Sequence, residues 1–87
     1  MQGKVALVTG SAKGIGRAIA LGMAGAGYQV VVHYRTSRAE ADEVVERIHA
    51  HGGEACALQA DVTDQPQVEQ LVNQAAARWG WLDVLVN

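Results

Sequence analysis

Short apolar runs alternate along this chain with stretches in which apolar positions recur every three or four residues. That alternation predicts strands and helices in turn, and therefore a parallel sheet. Val5-Ala6-Leu7-Val8 is a continuous apolar run closed by Thr9-Gly10, as expected of a strand buried on both faces. From Ile15 the positions Ile15, Ala18, Ile19, Gly22, Met23 and Ala26 fall on one helical face, and the Gly25–Gly27 region ends it. Gln29 to His33, with three consecutive valines, predicts the second strand. Ser37-Arg38-Ala39-Glu40 has capping-box spacing, so the Ser37 hydroxyl is expected to take the Glu40 amide. Ala41, Val44, Val45 and Ile48 give the second helix its buried stripe, and Gly52-Gly53 stops it.

Ala55 to Ala60 predicts a third strand of small residues around Cys56 and Leu58. Thr63 or Asp64 caps the next helix, with Pro66 tolerated in its first turn. Val68, Leu71, Val72, Ala75 and Trp79 form that helix's stripe, Gly80 stops it, and Leu82 to Val86 opens a fourth strand. Right-handed crossovers put the first two helices on one sheet face. If the fourth strand returns beside the first, the third helix covers the other face. The strand order is then 3-2-1-4, half of a doubly wound α/β fold.

With 87 residues the chain is enough for one small domain and too short for two. Hydrophobic residues at 49% and charged residues at 18% exclude simple disorder. Only four aromatics occur (Tyr28, Tyr34, Trp79, Trp81), which argues against a stacking platform for single-stranded nucleic acid. Cys56 is alone, so neither an internal disulfide nor a thiolate metal cluster is expected. His33, His49 and His51 lack metal-ligand spacing and are expected at the surface, and no metal site is expected. No apolar stretch reaches bilayer length and no secretory signal opens the chain, so a cytoplasmic location without membrane contact is expected.

The net charge of −2 conceals an asymmetry: residues 1–38 carry five cations and no acid, and residues 39–87 carry nine acids against Arg47 and Arg78. A locally cationic segment in an acidic chain suits a small anionic ligand better than a nucleic-acid backbone. Chance clustering of solvated charges explains it equally well.

The stretch that carries chemistry is Thr9-Gly10-Ser11-Ala12-Lys13-Gly14-Ile15-Gly16, between the first strand and the first helix. Gly10 permits a tight exit from the strand, Gly14 lets backbone approach a pyrophosphate, and Gly16 allows close packing of helix on strand. Amides at the helix start and its positive dipole end stabilise phosphate. Because the glycines follow a strand and open a helix, they predict a dinucleotide site. A site preferring NAD places a carboxylate about twenty residues past the glycines, at the end of strand two. Here that position holds Tyr34, followed by Arg35, Thr36 and Ser37, with Lys13 projecting toward the same region. A guanidinium there forms charge-assisted bonds with a 2′-phosphate, so NADP is the expected cofactor. The alternative is two solvated cations.

The glycine turn, His33-Tyr34-Arg35-Thr36-Ser37, Asp61-Val62 and Leu82-Asp83-Val84-Leu85-Val86-Asn87 together resemble the short-chain dehydrogenase/reductase family. The resemblance spans the whole chain and is nearest to 3-oxoacyl-(acyl-carrier-protein) reductases and their relatives, including pteridine reductases. It implies the N-terminal half of a Rossmann fold, residues 1–87 forming one partial domain cut after strand four. It also implies that Gly10, Gly14, Ile15 and Gly16 form the phosphate turn, with Ser11 a hydroxyl donor at its rim. Asp61 would accept from the adenine amino group, Val62 would complete the adenine pocket, and Asn87 would tie strand four to the turn. For Asp61 a cap beside Thr63 remains open, and for Asn87 a plain polar chain end.

The family's reduction of a carbonyl by hydride transfer uses a Ser, a Tyr and a Lys four residues after the Tyr. Tyr28 is followed at that spacing by Val32 and Tyr34 by Arg38, so no catalytic residue is assigned in this chain. The expectation is the cofactor-binding part of an NADP-dependent oxidoreductase, inactive alone, that meets a carbonyl substrate only in a complete enzyme. The alternatives are a non-catalytic half-Rossmann module that binds nucleotide, and a self-assembling unit. The edge of strand four favours homo-oligomers or other self-association.

Overall fold

The computed structural model describes residues 3–87. Seven elements alternate along the chain: β1 (Val5–Val8), α1 (Gly14–Gly25), β2 (Gln29–Tyr34), α2 (Arg38–Ala50), β3 (Ala55–Gln59), α3 (Gln65–Trp79) and β4 (Val84–Val86). All strand pairs are parallel and the order is β3-β2-β1-β4, as the sequence predicts. Val8 stands between Val32 and Val86, so the valine runs of three strands are in register.

The two central strands are buried on both faces, which is why their sequences are apolar without alternation. Val8, Val30 and Val32 face α1 and α2, where they pack with Ala20, Ala41, Val44 and Ile48. Leu7 and Val31 point the other way, against Leu71 and Ala75 of α3. Side chains of this size contribute roughly 1.5–3 kcal/mol each when fully buried, so two thin layers share the sheet's stabilisation.

Helix ends follow the glycines. Tyr28 N–H bonds to the Met23 carbonyl and Gly27 N–H to Ala24, a Schellman closure of α1. Gly53 to Ile48 and Gly52 to His49 repeat it on α2. Asp64 stands at the N-cap position of α3 without a side-chain cap bond, and Pro66 lies in the first turn.

The structure corrects two local expectations. In α1, Ile15 is 81% exposed and Ala18, Gly22 and Ala26 also face outward. The buried side carries Ala20, with Ile19, Met23 and Ala24 packed beside it. Nearly every α1 residue is small or apolar, so periodicity leaves its phase open, and the contact of Gly16 with the preceding turn decides it. The capping box also does not form: Ser37 is the N-cap residue of α2, but its side chain makes no cap bond. Its φ of −89° and ψ of 60° lie outside the extended region that aims a cap hydroxyl at the helix. The Ser37 carbonyl instead accepts from Ala41 N–H.

β4 is shorter than expected because Leu82 turns into the layer beside Trp79, and Asp83 closes the strand's lower end. The Asp83 carboxylate accepts from Val5 N–H at 2.7 Å while Asp83 N–H donates to the Val5 carbonyl at 2.9 Å.

Candidate functional site

The carboxyl ends of the four strands lie side by side, and the residues singled out from the sequence gather along them. The glycine turn follows β1, Tyr34 to Ser37 follow or end β2, Asp61 and Val62 follow β3, and Asn87 follows β4. In an open parallel sheet this is where ligands bind, at the point where successive connections leave on opposite faces. Here that point lies between β1 and β4. Val86's carbonyl accepts there from both Thr9 N–H, at 2.9 Å, and the Thr9 hydroxyl, at 3.2 Å.

Gly10 and Gly14 have φ of 61° and 59°, a left-handed conformation that side chains with a Cβ rarely adopt. The space a Cβ would fill is open at both, so the turn presents bare backbone. Gly16 serves differently. A Cβ on it would collide with the Gly10 carbonyl oxygen and approach Ser11 Cα to 3.1 Å. The helix start is thereby folded onto its own turn rather than onto the strand. The first helical bond runs from Arg17 N–H to the Lys13 carbonyl, leaving the amides of Gly14, Ile15 and Gly16 outside the ladder. No acidic side chain occupies the first turn to neutralise the dipole's positive end. Bare glycine backbone, amides outside the ladder and an uncompensated dipole are the features a pyrophosphate requires. The residues present fit the group.

Ser11 is a correction. It is fully buried, its hydroxyl donates to the Val8 carbonyl at 2.7 Å, and its oxygen accepts His33 N–H at 3.1 Å. With its one proton engaged inside the fold, it is not a donor at the turn's rim. His33, expected at the surface, is also a correction, since it is 3% exposed. Its ring lies between Gly10 N–H, 2.9 Å from Nδ1, and the Ala60 carbonyl, 2.8 Å from Nε2.

Lys13, Tyr34, Arg35, Thr36 and Ser37 line one hollow of about 160 Å³ together with Gly10, Ala12 and His33. The cations and hydroxyls that the sequence placed near an adenosine ribose thus share a cavity with the glycine turn, and among the described residues no carboxylate lines it. Gln59 Nε2 donates to the Arg35 carbonyl at 3.0 Å and ties this loop to β3.

Asp61 forms a turn with Thr63, accepting from its amide at 2.9 Å and its hydroxyl at 2.6 Å through Oδ1. These bonds, the hydroxyl's first, hold the Asp61 carboxyl below the ordinary aspartate range, and the nearby Arg35 charge adds to the effect. Oδ2 faces Arg35 Nη2 at 3.6 Å, and Gln67 Oε1 accepts from Asp61 N–H at 2.8 Å. Val62 is half exposed. Val62 and Asn87 line a second, more apolar hollow of about 230 Å³ with Leu7, Thr9, Leu71 and Leu85. The tie between β4 and the turn, expected from Asn87, runs through Thr9 and Val86. Two larger hollows, about 330 and 320 Å³, lie at the opposite end of the sheet by the C-terminal ends of α1 and α2. They hold none of the residues singled out above for a cofactor.

Residues 4–87 match the short chain dehydrogenase family. The chain belongs to that family. An uncharacterized oxidoreductase of Methylorubrum extorquens is 55% identical over 87 residues, which are 100% of this chain and 35% of that protein. A 3-oxoacyl-[acyl-carrier-protein] reductase of Staphylococcus aureus is 48% identical over 84 residues, 97% of this chain and 34% of that one. The crystal structure of a Burkholderia cenocepacia short chain dehydrogenase in complex with NADP superposes with a TM-score of 0.95 at 46% identity. That match covers 99% of this chain and 35% of the other. This short chain dehydrogenase sequence therefore spans about a third of the length of the relatives it matches.

Other chemistry-bearing residues of this short chain dehydrogenase segment stand apart from the row of strand ends. Burial pushes the Cys56 thiol up, with Arg78 partly opposing it, so little of it is thiolate. His49 bonds the Ala55 carbonyl and His51 the Arg47 carbonyl, both locally, from exposed positions. Among the described residues no three His, Cys, Asp or Glu side chains gather as a metal ion requires, and no helix is long and apolar enough to cross a membrane.

Proposed function

We propose that this chain is the cofactor-binding segment of an NADP-dependent oxidoreductase that reduces a carbonyl, of the 3-oxoacyl-(acyl-carrier-protein) reductase kind. The observation that carries the reading is the hollow shared by the glycine turn, Lys13, Arg35, Thr36 and Ser37, with no carboxylate in its described lining. The NADP bound in the Burkholderia relative supports the same cofactor.

The amides of Gly14, Ile15 and Gly16 would take the pyrophosphate at the start of α1. Arg35 and Lys13 would neutralise the 2′-phosphate, and Thr36 and Ser37 would add hydroxyl donors. Asp61 would accept from the adenine amino group through Oδ2, the oxygen not held by Thr63, with Val62 against the ring. Asn87 would stand at the far end of the row. The bound cofactor supplies the hydride; this segment orients it and supplies no acid or base. No Tyr here has a Lys four residues on, so the 87-residue chain binds without turnover.

Calorimetry of the purified chain with NADP and NAD tests the reading, beside an assay of NADPH oxidation with a 3-oxoacyl thioester. The expected result is weak binding that favours NADP, and no oxidation. Equal affinity for the two nucleotides would remove Arg35 from the site, and turnover by the pure chain would overturn its role as a binding segment alone.

A further inference from the structure

We propose that His33 is a positioning residue for the phosphate-binding turn, acting as the acceptor that sets the Gly10 peptide. The proposal rests on the reading of that turn as the pyrophosphate site. The ring is buried at 3% exposure, and three connections radiate from this residue. Nδ1 lies 2.9 Å from Gly10 N, Nε2 lies 2.8 Å from the Ala60 carbonyl, and the backbone exchanges bonds with Ser11. A backbone N–H can only donate, so Nδ1 must present its lone pair. A carbonyl can only accept, so Nε2 must carry the proton. The neutral Nε2–H tautomer is the one form that satisfies both; the other would set donor against donor and acceptor against acceptor.

The consequence is geometric. Thr9 N–H goes to Val86, Gly10 N–H to the imidazole and Ser11 N–H to the His33 carbonyl. Three successive amides of the turn are thus pinned inward, which fixes the backbone from which those of Gly14, Ile15 and Gly16 follow. Through Nε2 the same ring holds Ala60, the residue before Asp61. One side chain therefore sets the phosphate turn after β1 and the adenine-side segment after β3 relative to each other. This role requires no contact between His33 and a nucleotide.

Two substitutions separate the ring's two bonds. Asparagine places an amide oxygen near the position of Nδ1 and stops short of Ala60. Glutamine reaches the position of Nε2 and leaves Gly10 without an acceptor. In the 87-residue chain, His33→Asn is expected to keep NADP affinity within about threefold of the parent, while His33→Gln binds roughly tenfold more weakly, the worth of one hydrogen bond. Each variant loses one bond, so their melting temperatures should fall together. A merely structural role would make affinity follow stability instead. Equal NADP affinity of the two variants would overturn the proposal.

Amide exchange measured by NMR without ligand is a second, independent test. Gly10 N–H should stay protected in His33→Asn and exchange faster in His33→Gln; equal protection in both would sink the inference. If the parent binds neither nucleotide, the reading of the site fails and this exchange result still decides the role of His33. If neither variant folds, the imidazole nitrogen shifts of the parent decide. A proton on Nδ1 overturns the proposal, and a proton on Nε2 with Gly10 protected upholds it.

Discussion

Arg35 Nη2 lies 3.6 Å from Asp61 Oδ2, so the cation proposed to meet a 2′-phosphate rests against the carboxylate proposed to meet adenine. The Arg35 side chain is 66% exposed, and an ion pair this open to solvent is weak and screened by salt. A charge-assisted bond to phosphate contributes on the order of 1.5–3 kcal/mol. On the proposed reading, exchange of the carboxylate for the phosphate is favourable and would free Oδ2 for the base.

Nucleotide selectivity should accordingly reside in Arg35. NADP and 2′,5′-ADP are expected to bind about tenfold to a hundredfold better than NAD and 5′-AMP. Arg35→Ala should erase most of that preference and leave AMP affinity nearly unchanged, since the glycine turn is proposed to meet the phosphate common to all four ligands. Tyr34→Asp should reverse the preference by putting a carboxylate into the hollow opposite the 2′-phosphate. Titration calorimetry on the four ligands checks all three statements.

The glycines of α1 should respond oppositely to the same substitution. Gly16→Ala drives a Cβ into the Gly10 carbonyl, backbone against backbone, so it should cost about 3 kcal/mol, the upper end for overpacking, and abolish nucleotide binding. Gly22→Ala sits on the exposed side with nothing within 4 Å of its Cβ. It should stabilise the chain by roughly 0.5–1 kcal/mol through helix propensity, with binding unchanged. Chemical denaturation of the two variants tests both signs.

The strand order and helix boundaries were legible because the valine runs of β1 and β2 and the Schellman glycines are local signals. The phase of α1 was not, because small residues on every side of Gly14–Gly25 leave no polar face to orient it. The burial of His33 was not legible, for a different reason. Its partners Gly10 and Ala60 lie 23 and 27 residues away, and only folding of the turn over the sheet buries the ring. A histidine directly continuing the apolar run Val30-Val31-Val32 was the available signal. Ser11 is hidden in the same way: a hydroxyl in a glycine turn reads as ligand-facing, and only the folded chain brings Val8 and His33 around it. That Lys13, Arg35 and Thr36 lie together past the ends of β1 and β2 was legible because their placement follows from topology alone.

Thr63 should govern the ionisation of Asp61. Its two hydrogen bonds favour the carboxylate, so the folded-state value lies below the unfolded one. A depressed carboxyl contributes stability that is present above the unfolded value and lost as pH falls through the folded one. The turn should therefore hold at neutral pH and loosen only in acid, below the ordinary aspartate range. Thr63→Val removes the hydroxyl, the larger of the two causes, and should move the Asp61 titration upward toward that range. Carboxyl carbon shifts followed by NMR against pH would show it; an unmoved titration would assign the depression to the Thr63 amide and Arg35 instead.

Self-association should run through β4. Among the described residues that strand pairs only with β1, and its outer edge carries backbone donors and acceptors that no described strand meets. Leu85 is 49% exposed, and Val62, which lines the same hollow, is 47% exposed. An open edge beside apolar surface is a template for a further strand. The 87-residue chain is expected to form oligomers whose size rises with concentration in sedimentation velocity runs. Leu85→Lys should shift the distribution toward monomer, because a charge at an edge opposes pairing while leaving β1–β4 bonds in place. A monomer at every concentration, or association unchanged by Leu85→Lys, would place the contact elsewhere or remove it.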